Sequence, residues 1–394
     1  MPELSITPTR DRGGVVVELS NQIDDRIKSA LERRQQDGTL RSLSPRVADS
    51  GLIDLSNNDY LRIASHPQVL QAAKRATEEW GVSASASPLI SGYTSEHSAL
   101  ELRLCEWAGF PFGLVWNSGY AANQAVLSQL PEKGDLVLAD RLIHQSMISG
   151  LLRSGARLQR YRHLDCDHLE SLLEKASPDR AVFVVTESVF SMDGDYPNLE
   201  RIAELKERFG FIWIVDEAHA IGWYGKRGSG LVESVGIGKH VDVFVGTLGK
   251  GLGSMGAFTL FRKACYRDFF INFSGEFIYS TYLAPACAAG ARAAVDLVES
   301  MEPDRLRWQE RSRSLRRRIA GAQAGDSPII PVEIGDNRET MKIAGLLRDR
   351  GFVVGAIRPP TVPAGSSRLR ISLNMGLSDD QIDGLVASLQ EVRQ

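Results

Sequence analysis

The chain has 394 residues, of which 43% are hydrophobic and 24% charged. That composition is globular and excludes a mainly disordered, collagenous or coiled-coil protein. Lys and Arg number 46 against 49 Asp and Glu, a net charge of −3, so electrostatics supply no attraction to nucleic acid or an anionic membrane.

In chain order, residues 1–14 (MPELSITPTRDRGG) lack a basic stretch followed by an apolar one, so no signal peptide is expected. A helix and strand segment is expected within 1–60. Pro67 opens an amphipathic helix through Trp80 that Gly81 stops, and 96–108 forms a second helix. Strand–helix pairs follow: FGLVW with 121–130, DLVLAD with 143–153, and RLQRYR with 167–176. AVFVVTES comes next with helix 199–209, then the strands FIWIVDEA, DVFVGTL and GAFTLF. Runs such as VFVV and FIWIV suit strands buried on both faces. Their alternation with helices predicts an α/β fold with a mostly parallel central sheet sandwiched by helices. Past Leu283 the pattern changes to long helices over 285–300 and 305–320. Short strands (IIPVEI, FVVGAI, RLRISL) then mix with helices 339–350 and 379–393. The expected division is a large domain over 61–290 and a smaller C-terminal α+β domain over 291–394.

The basic run RSRSLRRR at 311–318 reads as a solvated helix face, because acidic residues lie nearby and no aromatics interleave. Cys105, Cys166, Cys265 and Cys287 show no C-x-x-C spacing, so neither a zinc knuckle nor a redox dithiol is indicated and no metal is expected. The apolar stretch 241–261 is interrupted by Asp242, Lys250 and glycines, a poor membrane span. The expectation is a soluble cytoplasmic protein with neither nucleic acid nor membrane as partner.

In a parallel sheet, ligands sit outside the carboxyl ends of the strands. Attention therefore falls on Ser191, Asp216, His219, Thr247 and Lys250. Gly251-x-Gly253-x-x-Gly256, with Glu276 twenty residues on, matches a dinucleotide fingerprint literally. The fingerprint needs a helix opening at its glycines, and AFTLF reads as a strand instead. A lysine at a strand end among small residues suits close approach to a cofactor, and desolvation lowers its pKa toward that of a usable amine. Asp216, at the end of FIWIV, is a buried carboxylate that needs a partner, and a protonated pyridine nitrogen is one. Asn117-Ser-Gly119-Tyr120 forms a strand-to-helix turn whose free N–H groups suit a phosphate. Each signal is weak alone, and a loop lysine, a helix-capping aspartate and a plain connection are the commoner cases. In this order they form a specific constellation. His66, His163, His168 and His240 stand in no motif and read as surface or core residues. His97, opening the helix HSALEL, reads as packing or capping.

The segments NNDYL (57–61), SGYAANQ (118–124), ADRLIHQS (139–146), TESVFSMDGD (186–195), VDEAHAIG (215–222), TLGKGLG (247–253), IYST (278–281) and RLRISL (368–373) closely resemble the α-oxoamine synthase family. These are fold type I pyridoxal 5'-phosphate-dependent transferases, and the likeness runs from about Ile27 to the C-terminus. The resemblance implies that Lys250 forms the Schiff base with the cofactor and serves as acid and base at the substrate's α carbon. It implies Asp216 at the pyridine nitrogen, His219 at the ring oxygen and His144 stacked on the ring. Gly119, Tyr120 and Thr247 would hold the phosphate, with Ser191 supporting the ring. Ser280 and Thr281 would reach the phosphate from the other subunit of a homodimer whose active site lies at the interface. Arg370, rather than Arg368, would hold the amino-acid carboxylate with Asn58 nearby.

Residues 356–365 (AIRPPTVPAG) resemble family members that condense L-alanine with pimeloyl-CoA or a pimeloyl-carrier protein, with Thr361 lining the site and Arg41 near the far end of the acyl chain. Another amino acid or acyl thioester, or a non-catalytic cofactor-binding subunit, are the competing readings. The chain departs from the family at 81–93, where serines, alanines and Pro88 replace a Gly-rich stretch ending in Ser-Arg, and at Ser254-Met255.

Overall fold

The structure is a computed structural model that describes residues 19–48, 50–319 and 321–393. The N-terminal stretch examined for a signal peptide lies outside the described residues, as does Ala320 at the end of the expected 305–320 helix.

Among the described residues the strands form two sheets. The larger has the order β2-β8-β7-β6-β5-β3-β4 and comprises β2 (Phe112–Trp116), β3 (Leu136–Asp140), β4 (Arg157–Tyr161), β5 (Val182–Glu187), β6 (Ile212–Asp216), β7 (Val243–Thr247) and β8 (Ala257–Phe261). From β7 to β4 every pairing is parallel, and β8 runs antiparallel to both neighbours. Val184, Val185, Ile214 and Val215 are fully buried, which is why these strands read as unbroken apolar runs. Helices follow most strands, as at Gly119–Gln129, Gln145–Ser154 and Leu199–Phe209, and bury their apolar stripes against the sheet. The second sheet has the order β1-β10-β11-β9, built from β1 (Ile53–Leu55), β9 (Ile329–Gly335), β10 (Phe352–Ile357) and β11 (Ser367–Ser372). β1 pairs parallel with β10, so the strand just ahead of the NNDYL segment belongs to the C-terminal sheet.

Gly251–Gly256 leads into β8, not into a helix, so the glycines are not a dinucleotide loop. Helices Ala264–Phe273 and Gly275–Ile278 and a π-turn at Pro88–Gly92 were not anticipated. The basic run is solvated only in part. Arg311, Arg313 and Arg318 pair with Asp379, Asp326 and Asp383. Arg316 is buried instead, because its guanidinium donates to the carbonyls of Gln323, Ser327 and Ile329. A polar stripe facing backbone acceptors can be an inner face.

Gly194 is sterically required where it stands. Gly194 has φ +66°, and a Cβ there would lie 2.2 Å from the carbonyl oxygen of Ile329. Gly194→Ala is expected to destabilise the fold by at least about 2 kcal/mol, from left-handed strain plus a backbone clash. Denaturant titration checks this, and an unchanged midpoint would contradict it.

Candidate active site

Parallel pairing lines up the carboxyl ends of the strands. Glu187 of β5 lies opposite Asp216 of β6, and Asp216 opposite Val245 of β7. Thr247 ends β7, and Lys250 follows three residues later on the same edge. The parallel topology, with no special motif, therefore brings two carboxyl groups and an amine together.

The Lys250 Nζ lies 2.7 Å from His219 Nε2, and His219 Nδ1 lies 2.7 Å from the Tyr60 hydroxyl. Tyr60 in turn donates to Asn58 Oδ1 at 3.1 Å and accepts from Arg370 Nη2 at 3.3 Å. If Lys250 donates to Nε2, the imidazole proton sits on Nδ1 and points to Tyr60, so one tautomer satisfies the whole chain. Burial, reinforced by the positive charge of Lys250 and Arg370, pushes the His219 pKa well below the ordinary value, so the ring is neutral. Burial also pulls the Lys250 amine down to about 8, although Asp216 and Glu187 oppose the shift.

Asp216 is buried and held at both oxygens. Asn123 Nδ2 donates to Oδ2 at 2.8 Å, and the Ala218 N–H donates to Oδ1 at 2.8 Å. Glu187 is buried too. Its pKa is raised well above the usual range, first by burial and then by the nearby Asp216 charge. His144 caps helix Gln145–Ser154, where Nδ1 accepts from the Ser146 N–H at 3.2 Å. Its pKa is lowered by burial, against the attraction of Asp216.

Gly119 and Tyr120 open helix Gly119–Gln129, whose Ser118 cap accepts from the Ala121 N–H and leaves the first N–H groups of the turn free. The Thr247 hydroxyl donates to the Gly256 carbonyl at 3.1 Å and accepts from the Gly249 N–H. Ser280 and the Thr281 carbonyl are held by Asn117 Nδ2, beside that turn, at 2.9 and 2.6 Å. Ser191 offers its carbonyl to Arg370 Nε at 2.7 Å, whereas Arg368 is engaged by Asp193. Arg41 Nη2 donates to Thr361 Oγ1 at 2.9 Å, so two residues 320 positions apart meet in an exposed contact.

Sequence pattern assigns no role to Tyr60, Asn123 or Glu187. All three lie inside the quoted segments, but nothing local reveals partners more than 25 residues away, such as His219 for Tyr60. His97 is buried and completes a capping box with Thr94, as its position at a helix start suggested. His163 is neither a free surface histidine nor an apolar core residue, since it bridges Asp140 and Asp195.

The donor set suits a pyridoxal phosphate. It combines a half-buried amine with a lowered pKa, a fixed carboxylate, a neutral imidazole, a free helix N-terminus, and unpartnered buried oxygens on Asn123 and Glu187. Among the described residues no cluster of His, Cys, Asp or Glu could hold a metal ion.

Comparison with known proteins agrees. Residues 50–389 match the aminotransferase class I and II family. The chain is 42% identical over 381 residues to the 8-amino-7-oxononanoate synthase of Trichlorobacter lovleyi, covering 93% of this chain and 97% of that protein. It is 40% identical to that of Methylococcus capsulatus, covering 97% and 98%. Among solved structures, a serine palmitoyltransferase from S. paucimobilis superposes with a TM-score of 0.88 at 26% identity, over 95% of this chain and 98% of that one. An 8-amino-7-oxononanoate synthase from Francisella tularensis superposes with a TM-score of 0.75 at 27% identity, over 88% and 99%.

Proposed function

The chain belongs to the aminotransferase class I and II family and, within it, to the α-oxoamine synthases, and from that premise we propose that it condenses L-alanine with a pimeloyl thioester. The products are 8-amino-7-oxononanoate, CO2 and the free thiol carrier, a step of biotin synthesis. The observation that carries the reading is the half-buried Lys250 amine, hydrogen-bonded to a neutral His219 on the strand edge that also presents Asp216.

Pyridoxal phosphate, when bound, supplies an electron sink for negative charge at the α carbon of the amino acid. Lys250 would hold its aldehyde carbon, Asp216 its ring nitrogen, His219 its ring oxygen and His144 its ring face, with Ser191 at the ring's edge. The N–H groups of Gly119 and Tyr120 and the Thr247 hydroxyl would hold its phosphate, joined by Ser280 and Thr281 of a second copy. Arg370, fixed by Ser191 and Tyr60, orients the alanine carboxylate, with Asn58 behind it. Lys250 takes the proton from alanine Cα and returns one after CO2 has left. Between those events the α carbon bonds to the thioester carbonyl and the thiolate departs. Asp216 keeps a proton on the ring nitrogen, because a carboxylate beside a basic nitrogen favours its charged form. Arg41 with Thr361 receives the carboxylate end of the acyl chain.

The reading includes a homodimer in the cytoplasm. Exposed Phe273 and Tyr279 lie just ahead of Ser280 and Thr281 in the chain, and the four cysteines are free. No helix among the described residues is long and apolar enough to cross a membrane. Product mass spectrometry with L-alanine and either pimeloyl-CoA or a pimeloyl-carrier protein tests the function. Parallel arms with L-serine and palmitoyl-CoA test the other chemistry named among the structural neighbours. Product from serine but not alanine would overturn the assignment.

A pH dependence also follows. Above about 8 the Lys250 amine is free of its proton and nucleophilic, and below that it is increasingly protonated. Cofactor uptake by the apo chain should therefore speed up with pH and level off above about 8, as stopped-flow absorbance would record.

A further inference from the structure

The RLRISL segment docks on the short loop 190–195 through Arg368 and Arg370, and a histidine outside both fastens that loop. His163 Nδ1 lies 2.9 Å from Asp140 Oδ1, and its Nε2 lies 3.1 Å from Asp195 Oδ2. Its ring stands edge-on to Phe190, with centroids 4.5 Å apart. Asp140 is fully buried at the end of β3 and also accepts the Leu142 and Leu164 N–H groups. Asp195 closes the loop, its carbonyl accepting from the Phe190 N–H at 2.9 Å. Its other carboxylate oxygen is buried without a hydrogen-bond partner, so His163 supplies the hydrogen bond that holds this carboxylate. Between Phe190 and Asp195 the loop presents Ser191, whose carbonyl holds Arg370, and Asp193, which engages Arg368. On the other side, Asp140 leads within four residues to His144.

We propose that His163 is a positioning residue: by bridging Asp140 and Asp195 it locks the 190–195 loop, and through Ser191 it sets the Arg370 guanidinium that grips the amino acid. The assignment of Arg370 to the amino-acid carboxylate rests on the function proposed above.

Both ring nitrogens face carboxylate oxygens. A neutral imidazole has one N–H and satisfies only one of them, whereas the imidazolium donates to both. Burial opposes that charge, but the two carboxylates outweigh it and raise the pKa to about 9. Tyr161, Cys166 and Glu187 surround Asp140, and Arg316 faces Asp195. None of them places a second cation between the two carboxylates. Because the folded value is raised, the clamp's contribution is complete below the unfolded value of about 6.5 and is lost as pH rises through about 9.

The test uses His163→Gln, which can donate to one carboxylate but carries no charge, and Asp195→Asn, which keeps the loop's shape and removes one charge. In the apo chain, amide hydrogen exchange over residues 188–196 should accelerate about tenfold in each variant and stay unchanged in β5 and β6, the share of one charge-assisted hydrogen bond. In the loaded enzyme, KM for L-alanine should rise about tenfold while kcat falls less than about threefold. The wild-type KM should climb above pH ~9, and that climb should be missing in His163→Gln. Nitrogen NMR of the imidazole should show both nitrogens protonated at pH 7.5. A ring with one proton at that pH, or unchanged exchange over 188–196, would overturn the clamp whatever reaction the protein catalyses. A lower melting temperature with an unchanged alanine KM would reduce His163 to a structural role. An enzyme that ignores alanine while the loop exchange still accelerates would sink the function and leave the clamp standing.

Discussion

Lys250→Ala should fold normally and lose at least about 10⁴-fold in kcat with L-alanine and pimeloyl thioester, because it removes covalent attachment and the proton carrier together. The fold should survive because the amine's hydrogen-bond partner is His219, which Tyr60 still holds. A cavity of a few methylenes at the sheet edge costs far less than the fold's stability. Lys250→Arg separates charge from chemistry. It keeps a cation facing Asp216 and Glu187 but cannot release its proton near neutral pH, so it should be as inactive as the alanine variant. Single-turnover assays with circular dichroism check both variants. Activity within about a hundredfold of wild type in either would remove this amine from the proton transfers.

Asp216→Asn should cost about 10–10³-fold in kcat, the range by which a neighbouring carboxylate shifts the proton affinity of a basic nitrogen. The substitution is well suited to isolating charge. The Ala218 N–H can still donate to the retained oxygen. Asn123 donates to the other oxygen and has its own Oδ1 buried without a partner. Turning the Asn123 amide over presents that oxygen to the new amide, so both contacts of residue 216 are kept while its charge is lost, at the expense of the 3.2 Å bond that Asn123 Nδ2 also donates to Ser146 Oγ. Stability should therefore fall by no more than about 1–3 kcal/mol, the cost of one unmet buried donor. A fall in kcat matched by a fall in melting temperature would instead mean that Asp216 is chiefly structural.

The sheet was legible in the sequence because burial on both faces leaves an unmistakable signature. VFVV and FIWIV can hardly be anything else when helical patterns separate them. Asp216, Thr247 and Lys250 were legible for the same reason, since a strand's carboxyl end is easy to locate. What local pattern could not reveal was partnership at long range. Tyr60 and His219 are 159 residues apart, and His163 finds its carboxylates 23 and 32 residues away. Arg316 was misread because a helix with arginines on every side offers no periodicity, and its inner face meets carbonyls instead of side chains. Strand β8 is legible past glycines that imitate another motif, but its antiparallel direction leaves no local signal.

The pairing of β1 with β10 has a mechanical corollary. Asn58 and Tyr60 emerge from the same small sheet that bears Arg370, yet the tyrosine hydroxyl reaches across to His219 on the large one. Any rocking of the small sheet would drag both groups together. The Arg370 guanidinium and the imidazole beside the Lys250 amine are thus geared to each other through one tyrosine, like two hands on one lever.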